Sequence, residues 1–179
     1  MNRKLHLTLL LGLTLFLSAC ASNKKPEGPV VESTPGTGDV ANPATDTNPF
    51  GLQGLGYTIS QLEDLGIIGN PLNYKTLYFE YNSSAIDKKS EVIARAHAIQ
   101  IGQTGVAQVN LEGHADERGT RDYNLALGER RALAVANLMA SSGASGAQIR
   151  NISYGEERPV DTAHNEAAWQ KNRRVEIAY

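Results

Sequence analysis

From Asn73 to the end, the chain alternates between a two-residue and a helical hydrophobic period, and that alternation confines it to few folds. Thr76-Leu77-Tyr78-Phe79-Glu80-Tyr81 is β-branched and aromatic, so it predicts a strand. Asn82-Ser83-Ser84 follows as a turn, with Ser84 and Asp87 spaced for a loose capping box. Val92, Ile93, Ala96 and Ile99 then recur at helical spacing, and Gly102 and Gly105 are expected to stop that helix. Ala107-Gln108-Val109-Asn110-Leu111-Glu112 alternates apolar and polar as a second strand. A long helix is predicted over 120–142, with Leu125, Leu127, Leu133, Val135, Leu138 and Met139 as its apolar members and Gly143 at its end. A third strand over 150–154, a short helix over 166–173 and a fourth strand over 174–179 complete the order βαβαβαβ. Such an order predicts an α/β fold (an α+β sandwich): helices packed on one four-stranded mixed sheet.

The residues before that region do not belong to it. Arg3 and Lys4 precede an apolar run from Leu7 to Leu17, then the small residues Ser18 and Ala19. This reads as a secretory signal over 1–19, too short to span a bilayer stably. Leu17-Ser18-Ala19-Cys20 resembles a bacterial lipobox, and Cys20 is the single cysteine of the chain. The resemblance implies cleavage before Cys20, which would then carry a diacylglycerol and an N-acyl lipid. With Ala21 and Ser22 next, and no aspartate after the cysteine, it also implies the outer membrane. Five prolines (Pro26, Pro29, Pro35, Pro43 and Pro49) lie among Gly, Ser, Thr and Asn, so residues 20–55 are expected to form a flexible linker. Residues 56–72, with Leu62, Leu65, Ile67 and Ile68 among glycines, read as a short ordered lead-in, and the folded domain as 73–179. A tether of some fifty residues spans roughly 40 Å as a coil and on the order of 170 Å when stretched. Without Arg3 and Lys4 the 17 basic side chains become 15 against 19 acidic ones, a formal charge of −4. That mild acidity argues against nucleic acid as a partner.

The densest chemistry lies in Gly113-His114-Ala115-Asp116-Glu117-Arg118-Gly119-Thr120 and the helix start that follows. No Gly-x-Ser-x-Gly elbow supplies a nucleophile. No His-Glu-x-x-His or Cys-x-x-Cys spacing supplies a metal site, so neither a metal nor a catalytic cofactor is expected. No Gly-Lys-Ser/Thr follows Gly113 to Gly119, so the phosphate-loop reading fails as well. His97 reads as a surface helix residue, His164 as part of a turn, and His114 as hydrogen-bonded within its loop. Two opposite charges remain. Asp116 lies just past a strand, and Arg131 lies about three turns into the next helix on the face of Leu127 and Val135. Arg131 suits a carboxylate held bidentately and Asp116 suits an ammonium, as in a zwitterionic ligand. A plain ion pair between the two is the alternative these residues leave open.

The same block, with Tyr123-Asn124 and Leu127-Gly128-Glu129-Arg130-Arg131-Ala132, resembles the signature of the OmpA-like peptidoglycan-binding domain family, in its peptidoglycan-associated lipoprotein form. Tyr78-Phe79-Glu80, Ser153-Tyr154-Gly155-Glu156 with Pro159, and Asn172-Arg173-Arg174-Val175 extend the resemblance over about 77–179. It implies non-covalent binding of the meso-diaminopimelate residue in peptidoglycan stem peptides, with Asp116 taking the ammonium and Arg131 the carboxylate. It places Phe79, Glu80 and Ala115 at the same pocket and gives Asn124 a supporting part in the loop. Glu80 stands where the family usually has aspartate. The resemblance further implies a lipid-anchored outer-membrane protein of a Gram-negative bacterium, facing the periplasm. Its expected partners are TolB and TolA of the Tol-Pal system, and its expected role lies in envelope integrity and cell division. A peptidoglycan hydrolase or metal-dependent amidase on the same scaffold is the competing reading.

Overall fold

A computed structural model describes residues 50–179 other than Gln53 and Ala107. The expected signal, Cys20 and nearly all of the expected linker lie outside the described residues. The described residues fall within the compact unit Ala41–Tyr179. Strands β1 (Thr76–Tyr78), β2 (Val109–His114), β3 (Ile149–Gly155) and β4 (Arg174–Ala178) alternate with helices α2 (Lys88–Thr104), α3 (Arg121–Ser141) and α4 (Glu166–Asn172), after a short helix α1 (Ile59–Asp64). The sheet is mixed, in the order β1-β4-β2-β3. Strand β4 runs antiparallel to both β1 and β2, whereas β2 and β3 run parallel. Helices on one mixed sheet are the predicted architecture.

One core joins sheet and helices. Leu77, Val109, Leu111, Val175 and Ile177 pack with Val92, Ile93 and Ile101 of α2 and with Ala132, Val135 and Met139 of α3. Leu52, Leu55, Leu62 and Ile67 are buried in the same cluster. The linker therefore does not run to 55, and the packed unit starts well before 73. Single leucines spaced by glycines insert into the core without making a periodic pattern. Within this lead-in, Thr58 and Gln61 form a reciprocal capping box at the start of α1.

Local choices explain where the boundaries moved. Asp87, not Ser84, caps α2 by accepting from the Ser90 amide at 2.7 Å, while Ser83 turns its hydroxyl to the Ala85 amide. Gly105, left-handed at φ 65°, ends α2. Gly102 lies inside the helix, and a side chain there would strike the Gly143 carbonyl where α2 and the end of α3 touch. Thr120 caps α3 and accepts from the Tyr123 amide. Leu125 and Leu133, expected on its apolar stripe, are exposed, so the buried stripe is narrower.

His97 is fully buried, against the expectation for a surface residue. Its ring bridges the Tyr179 hydroxyl and the Tyr74 carbonyl at 2.9 Å each, tying α2 to the segment before β1 and to the end of β4. A polar residue with two internal partners hides inside a helical pattern that counts only apolar positions.

Candidate functional site

The site forms where the chain leaves the sheet. β2 continues to His114, two residues past the predicted end, because Gly113 lets α3 cross close against it. A Cβ on Gly113 would overlap the Gly128 carbonyl. The Ala115 amide then donates to the Gly155 carbonyl at 2.8 Å, extending the contact with β3 and presenting Asp116. β1 ends at Tyr78, three residues early. The segment after it turns off the sheet, although the Phe79 amide still donates to the Arg173 carbonyl.

Arg131 rises from α3 into the space between these two chain turns. It is fully buried, with no exposed surface. Its Nε donates to the Ser83 carbonyl at 2.8 Å, one terminal nitrogen to the His114 carbonyl at 2.7 Å and the other to the Glu80 carbonyl at 3.1 Å. The Phe79 ring lies 5.3 Å from the guanidinium carbon. Arg131 thus pins the turn after β1 to the end of β2, and no carboxylate forms an ion pair with it among the described residues. Burial lowers its pKa to about 10, and the field of Asp116 only partly opposes this. Three of its five N–H groups are committed, which leaves one on each terminal nitrogen.

Asp116 is nearly buried but not paired with Arg131. Its Oδ1 accepts from the Arg118 amide at 3.1 Å and Arg118 Nε at 3.3 Å. Its Oδ2 accepts from an Arg118 terminal nitrogen at 2.8 Å and from Arg173 at 3.3 Å. Burial works to raise its pKa, and the hydrogen bonds from Arg118 and Arg173 outweigh it, holding the carboxyl below the usual range. The simple Asp116–Arg131 pair is therefore not what forms. Each charge sits in its own network, and the networks share the loop after β2.

The remaining expected residues take indirect places. The Phe79 carbonyl accepts from Arg173 Nε at 3.0 Å. Glu80 contributes its carbonyl, while its side chain lines a shallow cleft of about 100 Å³ with Tyr78, Ala85 and Gln170. Ala115 lies at the wall of another cleft, of about 280 Å³, with Glu117, Glu156, Asp161 and His164. Asn124, buried at the start of α3, donates to Glu156 at 2.5 Å and so joins the helix to the loop after β3.

Arg118, Arg173, Tyr81, Trp169 and Glu166 belong to the site although sequence reasoning gave none of them a role. Arg118 lies between the Tyr81 and Trp169 rings, 4.1 and 4.2 Å from their centroids. Arg118 and Arg173 both pair with Glu166, at 3.2 and 2.9 Å. Trp169 donates to Glu117 at 2.7 Å, and His164 also pairs with Glu117, at 2.8 Å. The Asn172-Arg173-Arg174-Val175 run was the available signal for Arg173, since three polar residues between a helix end and a strand start, next to apolar Val175, need buried partners.

His114 is 2% exposed, and among the described residues neither ring nitrogen has a hydrogen-bond partner. This differs from the expected loop hydrogen bond, because the ring lies in the strand, 5.4 Å from that of Tyr154. Burial, then the nearby Arg174, lower its pKa to about 4. An unfolded chain takes up this proton near pH 6.5 and the folded one only near pH 4. The stability linked to His114 is thus present above pH 6.5 and lost as pH falls toward 4, on the order of 3 kcal/mol in all. His114→Phe, similar in shape and unable to protonate, should flatten the pH 4–6.5 slope in chemical denaturation. An unchanged slope assigns it to other groups.

The model of the OmpA family matches residues 78–173. The peptidoglycan-associated lipoprotein of Pasteurella multocida is 35% identical over 179 residues, covering both chains end to end. The chain belongs to the peptidoglycan-associated lipoproteins of the OmpA family. The member from Pseudomonas aeruginosa is 51% identical over 102 residues, 57% of this chain and 60% of its own length. The crystal structure of the member from Burkholderia pseudomallei superposes with a TM-score of 0.59 at 36% identity, covering 61% of this chain and 92% of that one. The family match spans the elements that carry Phe79, Asp116, Arg131 and Arg173. Among the described residues no three His, Cys, Asp or Glu side chains converge as metal ligands, and no helix is long and apolar enough to cross a membrane.

Proposed function

We propose that this chain binds diaminopimelate-type peptidoglycan without turning it over, and that it tethers the outer membrane to the cell wall through a lipid on Cys20. The observation that carries the reading is Arg131: a fully buried guanidinium, held by three backbone carbonyls, with no carboxylate partner and two donors uncommitted among the described residues. A buried cation without a counter-charge is costly to keep, and an anionic ligand group relieves that cost. Asp116 lies close enough to raise the Arg131 pKa and accepts only cationic and amide donors, so the two groups suit the two ends of a zwitterion. The free end of meso-diaminopimelate carries an ammonium and a carboxylate on one carbon. Membership in the peptidoglycan-associated lipoproteins supports the same substrate class. In this reading Phe79, Glu80 and Ala115 shape the pocket wall and Asn124 holds the loop.

Many weak attachments along a polymer act together through effective concentration. One end in the membrane and the other on the wall make the chain a cross-link between two layers. TolB and TolA are its proposed partners in envelope integrity and division, with the domain facing the periplasm.

Sedimentation of the full-length chain with purified sacculi tests this reading. Diaminopimelate sacculi should carry the chain down, and Asp116→Asn or Arg131→Ala should leave it in the supernatant. Sacculi with lysine at the same position lack the carboxylate. They should bind roughly 10- to 150-fold more weakly per site, the worth of one charge-assisted hydrogen-bond set of about 1.5–3 kcal/mol. Equal sedimentation with both kinds of sacculi overturns the site.

A further inference from the structure

The Asp116 carboxylate has no room for a ligand in this structure. A carboxylate offers about four acceptor positions, two on each oxygen. Oδ1 is filled by the backbone amide and Nε of Arg118, and Oδ2 by a terminal nitrogen of Arg118 and by Arg173. Three of the four contacts come from one residue. An incoming ammonium needs one of these donors to leave, and the two arginines differ in which can.

Arg173 is nearly buried, and its Nε is committed to the Phe79 carbonyl beneath the site. The Arg118 side chain is 28% exposed and reaches Asp116 from the solvent side. Its outer holds are the Tyr81 and Trp169 rings and Glu166, and both Tyr81 and Glu166 are themselves exposed. A planar guanidinium between two rings, with a carboxylate at each end, is a docked position that needs no ligand.

We infer that Arg118 is an internal occupant of the cation subsite at Asp116, clamped by Tyr81 and Trp169, and that it must swing out before a stem-peptide ammonium can bind. This rests on the stem-peptide reading above and adds a step to it. The Arg118 side chain imitates the cationic half of the ligand, so the free protein holds the subsite closed. The two Arg118 side-chain contacts are the ones exchanged, while the Arg118 amide and Arg173 stay and keep Asp116 aimed. Ligand affinity is then reduced by the fraction of molecules in which Arg118 is out. A subsite open about a tenth of the time raises the apparent Kd about tenfold. The exchange is cation for cation, so the carboxylate is never left buried without a partner, which keeps the swap affordable.

The test titrates the full-length chain with the soluble stem tripeptide L-alanyl-γ-D-glutamyl-meso-diaminopimelate, by calorimetry and by Trp169 fluorescence. Trp169 is the single tryptophan of the chain, so it reports Arg118 leaving its ring face. Arg118→Gln removes the internal cation and should tighten binding roughly five- to tenfold. Glu166→Gln removes the outer carboxylate that Arg118 shares with Arg173, leaves Arg173 its contacts with Asp116 and the Phe79 carbonyl, and should tighten binding by a smaller factor. The wild type should show a fluorescence change on binding that Arg118→Gln lacks. Near-ultraviolet circular dichroism checks that each variant is folded, and the Glu166 variant stands alone if the Arg118 variant is not. Wild-type binding that is unchanged or weakened in the folded variants overturns the latch alone. Failure of the wild type and both variants to bind the tripeptide overturns the stem-peptide reading and the latch with it.

Discussion

Gly113→Ala is expected to lower the stability of the chain by about 3–4 kcal/mol, at the upper end of what overpacking costs. The added Cβ lies 2.7 Å from the Gly128 carbonyl carbon and nearer still to its oxygen. Backbone cannot move to another rotamer, so either β2 or α3 must shift as a unit. The reverse change, Gly128→Ala, places its Cβ 2.8 Å from the Gly113 carbonyl oxygen and against the Ser153 hydroxyl. Ser153 already donates to the Leu125 carbonyl at 2.6 Å and cannot retreat without losing that bond. Both variants therefore strain the same crossing, and their effects should not add. A loss of this size is a large part of the 5–15 kcal/mol that holds a domain together, and a urea midpoint reads it directly. Gly146→Ala is the control: nothing lies within 4 Å of its added Cβ, and its change should stay within about 1 kcal/mol. Equal midpoints for Gly113→Ala and Gly146→Ala remove the steric account of this crossing.

Arg131→Lys should destabilise the protein more than Arg131→Met, although lysine keeps the charge. Two effects oppose each other. Burial lowers the Arg131 pKa from the usual guanidinium range to about 10, so holding the charge costs on the order of 3 kcal/mol. Against that, three carbonyls lose a donor when the side chain is removed, at about 1–3 kcal/mol each. Methionine relieves the first cost and suffers the second, for a net loss of about 0–6 kcal/mol. Lysine keeps the first cost and satisfies the second poorly. A compact ammonium cannot reach carbonyls that Ser83, Glu80 and His114 spread around the rim of a planar fork. Its expected loss is about 3–5 kcal/mol. Neither variant should sediment with sacculi, so the pair separates the stability of the fork from its use. A lysine variant more stable than the methionine one shows that the charge is no burden there.

Arg131 also marks how far the sequence could be read. Its burial followed from its spacing with Leu127 and Val135, since a helix places residues four apart on one face. The fold class followed in the same way, because strand and helix periods alternate without interruption from Thr76. Asp116 and Arg131 were legible as a charged pair near one sheet end. Their separation into two networks was not, because Arg173 and Trp169 arrive from positions some fifty residues downstream and Glu80 acts through its backbone. The end of β2 was missed for a related reason: Gly113 and His114 carry no alternating pattern, and what extends the strand is the absence of a side chain against α3. The lead-in was legible from its leucines and isoleucines, but its start was placed at 56, too late, because Leu52 and Leu55 are isolated among glycines, where hydrophobic period has nothing to count.

That lead-in has a mechanical meaning. Hydrogen bonds from Leu55 to Leu52, Leu65 to Leu62, Gly66 to Glu63 and Ile67 to Leu62 close within the segment itself. Leu52, Leu55, Leu62 and Ile67 are plugged into the core one by one. Lys89 adds a side-chain hold on the Gly66 carbonyl at 2.9 Å. Tension entering from the N-terminal side would meet these plugs in order, Leu52 with Leu55 before Leu62 with Ile67. Between β4 and β2 the ladder of paired residues runs from Asn110 with Ala178 to Gly113 with Val175, and it shears only as a whole. If the chain links two layers as proposed, a sudden pull would lengthen the lead-in, as a shock absorber in series, before strain reaches the strand ends that hold Asp116 and Arg131.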